Sequence, residues 1–136
     1  VTIDPDATVE IATPASAALI PTIRAVASDL AGRADFDLDA IADLRMAVDE
    51  ACATLVDLAA PTTRLRCTFL LHPDHIEVVA EVRAGHADTA VSTETFGWRV
   101  LQTLADKVAV QHSPDPDGSG ATVGIRLHKY AGDAAP

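Results

Sequence analysis

The residue of this chain best placed to do chemistry is Glu50. It is a carboxylate set in the run Leu44-Arg45-Met46-Ala47-Val48-Asp49-Glu50-Ala51-Cys52. Ile41, Leu44, Val48, Cys52, Leu55 and Ala59 recur at the three-and-four spacing of one helical face. Ala47, Glu50, Ala51 and Thr54 follow the same spacing on another face, lined by small residues. A helix with two packed faces lies inside a layer. An acid on such a face is costly unless it reaches water, finds a partner or has a chemical task. The pattern leaves an acid at the rim and an acid with a task equally open.

The other candidates are weaker. His72, His75, His86, His112 and His128 fall on turns, a loop and strand ends, without metal-ligand spacing. Cys52 lies in a helical pattern and Cys67 in an alternating one, with no CxxC, so both read as small buried thiols and no metal is expected. Ser92, Ser113 and Ser119 lack the Gly-x-Ser-x-Gly context of a hydrolase. Trp98 near Phe96 reads as a core or interface anchor.

The elements that must position these groups follow from the pattern. Residues 8–12 alternate as a short strand, and Thr13-Pro14 opens a turn. Ile20, Ile23, Ala27 and Leu30 form the stripe of a first helix that Gly32 ends, with Pro21 in its first turn or at a kink. Asp37 and Asp39 start a second helix that runs to Ala60-Pro61. Leu65, Cys67, Phe69 and Leu71 make a half-buried strand, His72 to His75 a turn, and Ile76, Val78, Ala80 and Val82 the returning strand. Residues 84–95 read as a loop, 96–107 as a third helix, 107–111 as a strand, 113–120 as a loop and 121–130 as the last strand. Residues 131–136 read as a frayed tail. The sum is one domain over 1–136, an α/β two-layer sandwich whose mixed sheet carries its helices on one face.

The run around Glu50 resembles the first motif of the RsbW/SpoIIAB anti-sigma factors, roughly A-V-x-E-A-x-x-N, and is most similar to their sigma-F branch. These are serine protein kinases of the GHKL, or Bergerat-fold, ATPase superfamily. The order of elements and the Gly120-Ala121-Thr122-Val123 start of the last strand follow the same family. The resemblance implies Glu50 as general base if the chain is active. It also implies an ATP pocket of Glu50, Thr54, Ala84, Gly85, Gly97 and Thr122. Three of these positions depart from the family. Thr54 stands where an asparagine holds magnesium, Ala84 where an aspartate accepts from adenine, and the lone Gly97 where a glycine-rich loop cradles phosphate. The loop that would form a lid is short. The expectation is a degenerate pocket that needs no cofactor, with ATP and magnesium at most weakly held and Thr54 the magnesium anchor if any is bound.

Composition fits that reading. With 20 acids against 10 bases the chain carries a formal charge of −10, which argues against direct nucleic-acid binding and suits a basic partner. No apolar run reaches membrane-spanning length and no signal-peptide pattern is present, so a cytoplasmic location is expected. The implied partners are an alternative sigma factor of the sigma-F or sigma-B type, a STAS-domain anti-anti-sigma factor that releases it, and a second copy in a homodimer. Arg24, Asp29 and Arg33, off the first helix's apolar stripe, are expected at the sigma interface. The alternative is an active serine kinase that phosphorylates the antagonist with Mg-ATP.

Overall fold

The computed structural model describes residues 3, 4 and 6–132; residues 133–136 of the expected tail lie outside them. Strand β1 (Thr8–Pro14) leads through a turn of 3-10 helix at Ala17–Leu19 into α1 (Ile20–Arg33) and α2 (Leu38–Leu58). Then come β2 (Arg64–Leu71), β3 (His75–Ala84), α3 (Phe96–Leu104), β4 (Lys107–Pro114) and β5 (Ala121–Tyr130). The sheet order is β1-β2-β3-β5-β4.

The two-layer sandwich is as expected, but the sheet is antiparallel throughout rather than mixed. The reason lies in β5. Strands β3 and β4 do run the same way on either side of α3, yet β5 inserts between them and pairs antiparallel with both.

Alternation decides the faces. Leu65, Cys67, Phe69 and Leu71 of β2, Ile76, Val78, Ala80 and Val82 of β3, and Val123, Ile125 and Leu127 of β5 are all buried. They meet α2, which lies across β2, β3 and β5, while α1 packs on α2 and α3 sits between α2 and β4. α2 buries both of its anticipated faces, with Leu44, Val48, Cys52 and Leu55 on one and Ala47 and Ala51 on the other.

Several boundaries move. Asp37 caps α2, its carboxylate accepting from the Ala40 N–H at 2.7 Å. The helix ends at Leu58, short of Pro61. Pro21 sits harmlessly in the first turn of α1. Gly32 lies inside that helix, and Asp35 takes the left-handed turn beyond it (φ 60°). α3 stops at Leu104, and β4 extends to Pro114 because β5 offers partners as far as Ala121. Ala131, assigned to the tail, donates to the Asp74 carbonyl and accepts from the Asp37 N–H. No helix among the described residues is long and apolar enough to cross a membrane.

Candidate functional site

α2 presents Glu50 and Thr54, both half-buried, on the side where it meets α3. The facing wall is the loop after β3 as it turns into α3. Thr95 caps that helix, its hydroxyl accepting from the Trp98 N–H at 3.1 Å. Trp98 and Leu101 are buried and anchor α3 on the core. That anchoring lands Gly97 against Glu50, where a Cβ would fall inside the carboxylate. Only glycine allows the two to lie so close.

Between these walls is an open cleft of about 370 Å³, lined by Glu50, Thr54 and Asp57 of α2 and by Ser92, Thr95 and Gly97 opposite. Its polar groups are two carboxylates and three hydroxyls, with no lysine or arginine in the lining. Such a set offers oxygen ligands and hydrogen-bond acceptors, and nothing to balance a polyphosphate.

The fold thus gathers Glu50, Thr54 and Gly97, and the other three expected pocket residues do not line the cleft. Ala84 is buried at the end of β3 opposite Ala121. Gly85 follows it, next to Ala60 beyond the end of α2. Thr122 lies across the sheet. It pairs with Arg83 and Ser113, alternates with buried Ala121 and Val123, and so points to the helix-free outer face. The apolar alternation of β5 already carried that signal. On the outer face Thr122 helps line a hollow of about 420 Å³ with Arg64, Arg66 and Arg83.

The three residues expected at a partner interface lie on α1, and each has a neighbour. The Arg24 guanidinium donates to Asp49 of α2 at 3.0 Å. Arg33 pairs with Asp29 one turn back at 2.9 Å. The thiols of Cys52 and Cys67 face each other across the layers at 3.8 Å. Their hydrogen bond, then burial, pushes Cys52 well above the usual thiol range.

One cluster escaped the sequence. Register places His128 opposite Glu77, and the β2–β3 turn brings His72 to the same carboxylate at 3.1 Å. Arg126 also donates to it. His75 stacks on His72 with ring centres 4.3 Å apart and tilts against His128 and Tyr130. Burial alone would raise the Glu77 carboxyl, but the His72 bond and the Arg126 charge outweigh it and hold it low. Burial lowers the His128 imidazole in spite of the nearby Glu77 charge. The turn spacing foretold His72 beside His75, whereas His128 needed the strand register.

The sequence model of the histidine kinase-like ATPase domain matches residues 13–126. The anti-sigma-F factor RsbW of Mycobacterium tuberculosis is 44% identical over 96 residues, covering 68% of this chain and 55% of that protein. The serine-protein kinase RsbW of Halalkalibacterium halodurans is 29% identical over 91 residues, covering 66% and 56%. The chain spans a little over half the length of these curated relatives. A crystal structure of RsbU and RsbW domains from Mycobacterium tuberculosis superposes with a TM-score of 0.61 at 15% identity, covering 91% of this chain and 33% of that one. That likeness is one of fold.

Proposed function

The chain belongs to the histidine kinase-like ATPase domain family, and from that membership we propose that it is an anti-sigma factor that works without nucleotide. It sequesters an alternative sigma factor of the sigma-F or sigma-B type in the cytoplasm and gives it up to a STAS-domain antagonist, as part of a stress response. Kinship to a protein named anti-sigma-F factor supports the sigma partner. The sigma interface takes in the exposed side of α1 around Arg24, Asp29 and Arg33, and a second copy pairs through the outer sheet face on the β1 side. DNA is not a direct ligand of so acidic a chain.

The observation that carries the nucleotide-free part is the seating of Glu50 on Gly97 in a cleft without a cation. ATP does not fit the residues present. The strand end that should accept from adenine offers the buried methyl of Ala84. The helix start that should cradle phosphate is closed by a carboxylate. Glu50 and Thr54 offer magnesium two oxygen ligands, so an ion there is held weakly, with water filling the rest of its shell.

Two measurements test this. Charge reversal at Arg24 and Asp29 together should weaken sigma binding and its salt dependence, with the fold checked by circular dichroism; unchanged binding moves the interface elsewhere. Calorimetry with Mg-ATP should give at most weak heat. The serine-kinase reading is kept for one reason, that Glu50 lines the cleft where a general base would stand. A low-micromolar dissociation constant abolished by Glu50→Ala would restore it.

A further inference from the structure

Glu77 is a buried carboxylate on the outer face of the sheet. Alternation turns it away from Ile76 and Val78, which face the helices, yet it is only 8% exposed. Its cover is a set of titratable rings. His72, from the β2–β3 turn, meets one carboxylate oxygen at 3.1 Å, and Arg126 of β5 donates to the other. The Nε2 atom of His128 stands 3.9 Å from that second oxygen. His75 closes the group. Its ring stacks on His72 with centres 4.3 Å apart, and lies 5.3 Å from His128 and 4.9 Å from Tyr130. Its Nδ1 meets the Asp74 carboxylate at 2.7 Å.

The charges around these rings balance only while the imidazoles are mostly neutral. Glu77 and Asp74 are the anions that face them. Against these stand Arg126 on β5 and, by register, Lys107 on β4 opposite His128. Asp106 is occupied beyond them, by the Tyr130 N–H and by Lys129. Fixed cations already match the carboxylates, so each further proton adds an uncompensated positive charge to a crowded cluster. The stacked pair resists a second proton most, since like charges would lie face to face. Burial adds to this at His128, whose imidazole is held below its usual range in spite of Glu77.

The same place ties three elements together. The Ala131 N–H, just past Tyr130, donates to the Asp74 carbonyl at 3.0 Å, and the Ala131 carbonyl accepts from the Asp37 N–H at 3.0 Å. Asp37 is the cap of α2. Gly132 follows with φ 85°, against the Asp37 carboxylate. The β2–β3 turn, the chain after β5 and the start of α2 thus meet beside the rings.

We propose that His72, His75 and His128 form a proton-operated latch, which on acidification frees the β2–β3 turn and residues 131–132 from the start of α2 while the sheet stays folded. Opening hydrates the imidazoles and separates them, so the open form binds more protons and gains as pH falls. With one proton of difference the opening constant rises by up to about tenfold per pH unit. The latch rests on neither the sigma interface nor the Glu50 cleft.

The test is native-state hydrogen exchange on the isotope-labelled chain between about pH 7.5 and about pH 5, the span in which histidine titrates. Corrected for intrinsic rates, protection at the Asp37 and Ala131 amides should fall at least about fivefold over that span, while Val82 and Val123 in the β3–β5 ladder keep theirs. The chain's single tyrosine belongs to the cluster and its single tryptophan does not. The Tyr130 ring signals should therefore shift with pH and the Trp98 indole signal should stay still. His128→Gln should make protection at Asp37 and Ala131 independent of pH, and His75→Gln serves the same purpose if that variant fails to fold. Three outcomes overturn the proposal: protection at the two amides that is flat with pH, a loss shared equally by Val82 and Val123, which is global unfolding, or a pH dependence retained in both variants.

Discussion

Glu50 and Gly97 compete for one volume, and that makes their coupling measurable. In Gly97→Ala the new methyl meets the far end of a flexible side chain, so Glu50 should swing aside rather than the backbone give way. Alanine also favours a helix over glycine by up to about 1 kcal/mol, so the net change should lie within about 1 kcal/mol. In a double-mutant cycle with Glu50→Ala, urea unfolding should show non-additivity; strict additivity would mean that the two do not touch. Acid sensitivity is argued at the same scale. His128 is depressed in the fold, so the unfolded chain takes up its proton first. Its contribution is complete above about pH 6.5 and drains away as pH falls from there towards the folded value. Glu77 is also depressed, so its contribution is present above about pH 4.3 and is lost as pH falls through its folded value. Stability should therefore decline in two acid steps, the upper one removed by His128→Gln and the lower by Glu77→Gln. A melting temperature flat from pH 7 to pH 5 would contradict the first step.

Between elements, a half-buried ion pair with an asymmetry adds to the packing of α1 on α2. Asp49 accepts from Arg24 through one oxygen, and its other oxygen is buried without a partner among the described residues. Arg24→Ala leaves that carboxylate with no cation, whereas Asp49→Ala removes the poorly satisfied group as well. Arg24→Ala should be the costlier change, by roughly 1 kcal/mol in chemical denaturation. The thiol pair that joins α2 to β2 should not react with an aromatic disulfide reagent until the chain is unfolded, because both sulfurs are buried and Cys52 resists ionisation. The elements themselves were largely legible. Strands whose inner residues are uniformly apolar announce their faces, and the two packed faces of α2 were plain in its spacing. Their ends were less so. α3 stops short and β4 runs long because partners from other elements decide them. Strand order lay beyond the pattern, since alternation reports which way a side chain points and never which strand lies beside it. For the same reason the Glu50–Gly97 contact and the Glu77 cluster were invisible, although each of their residues stood in plain view.

At the scale of the whole molecule, a net charge of −10 sets a condition on self-association. The proposed homodimer should tighten with added salt, and light scattering at micromolar and higher concentrations should report twice the monomer mass; a monomer throughout would remove the second copy from the proposal. The position of β5 has a different consequence, which concerns time. The β2–β3 turn closes on itself through the His72 N–H and the His75 carbonyl, and the β4–β5 loop does so through Asp115 and Gly120. Both hairpins can therefore form early, from neighbours in the chain. The central β3–β5 ladder joins His75 to Tyr130 and Ala84 to Ala121, and must wait until α3 and β4 have been drawn in between. Loop closure of that length costs entropy before any contact repays it, which places folding in the millisecond-to-second range of non-local topologies. Val82→Ala or Val123→Ala, at facing positions of this ladder, should slow refolding in stopped-flow experiments. Ile11→Val, on the β1 edge, should chiefly hasten unfolding. If the edge variant slows refolding as much as the central ones, the sheet is assembled from its margin inward.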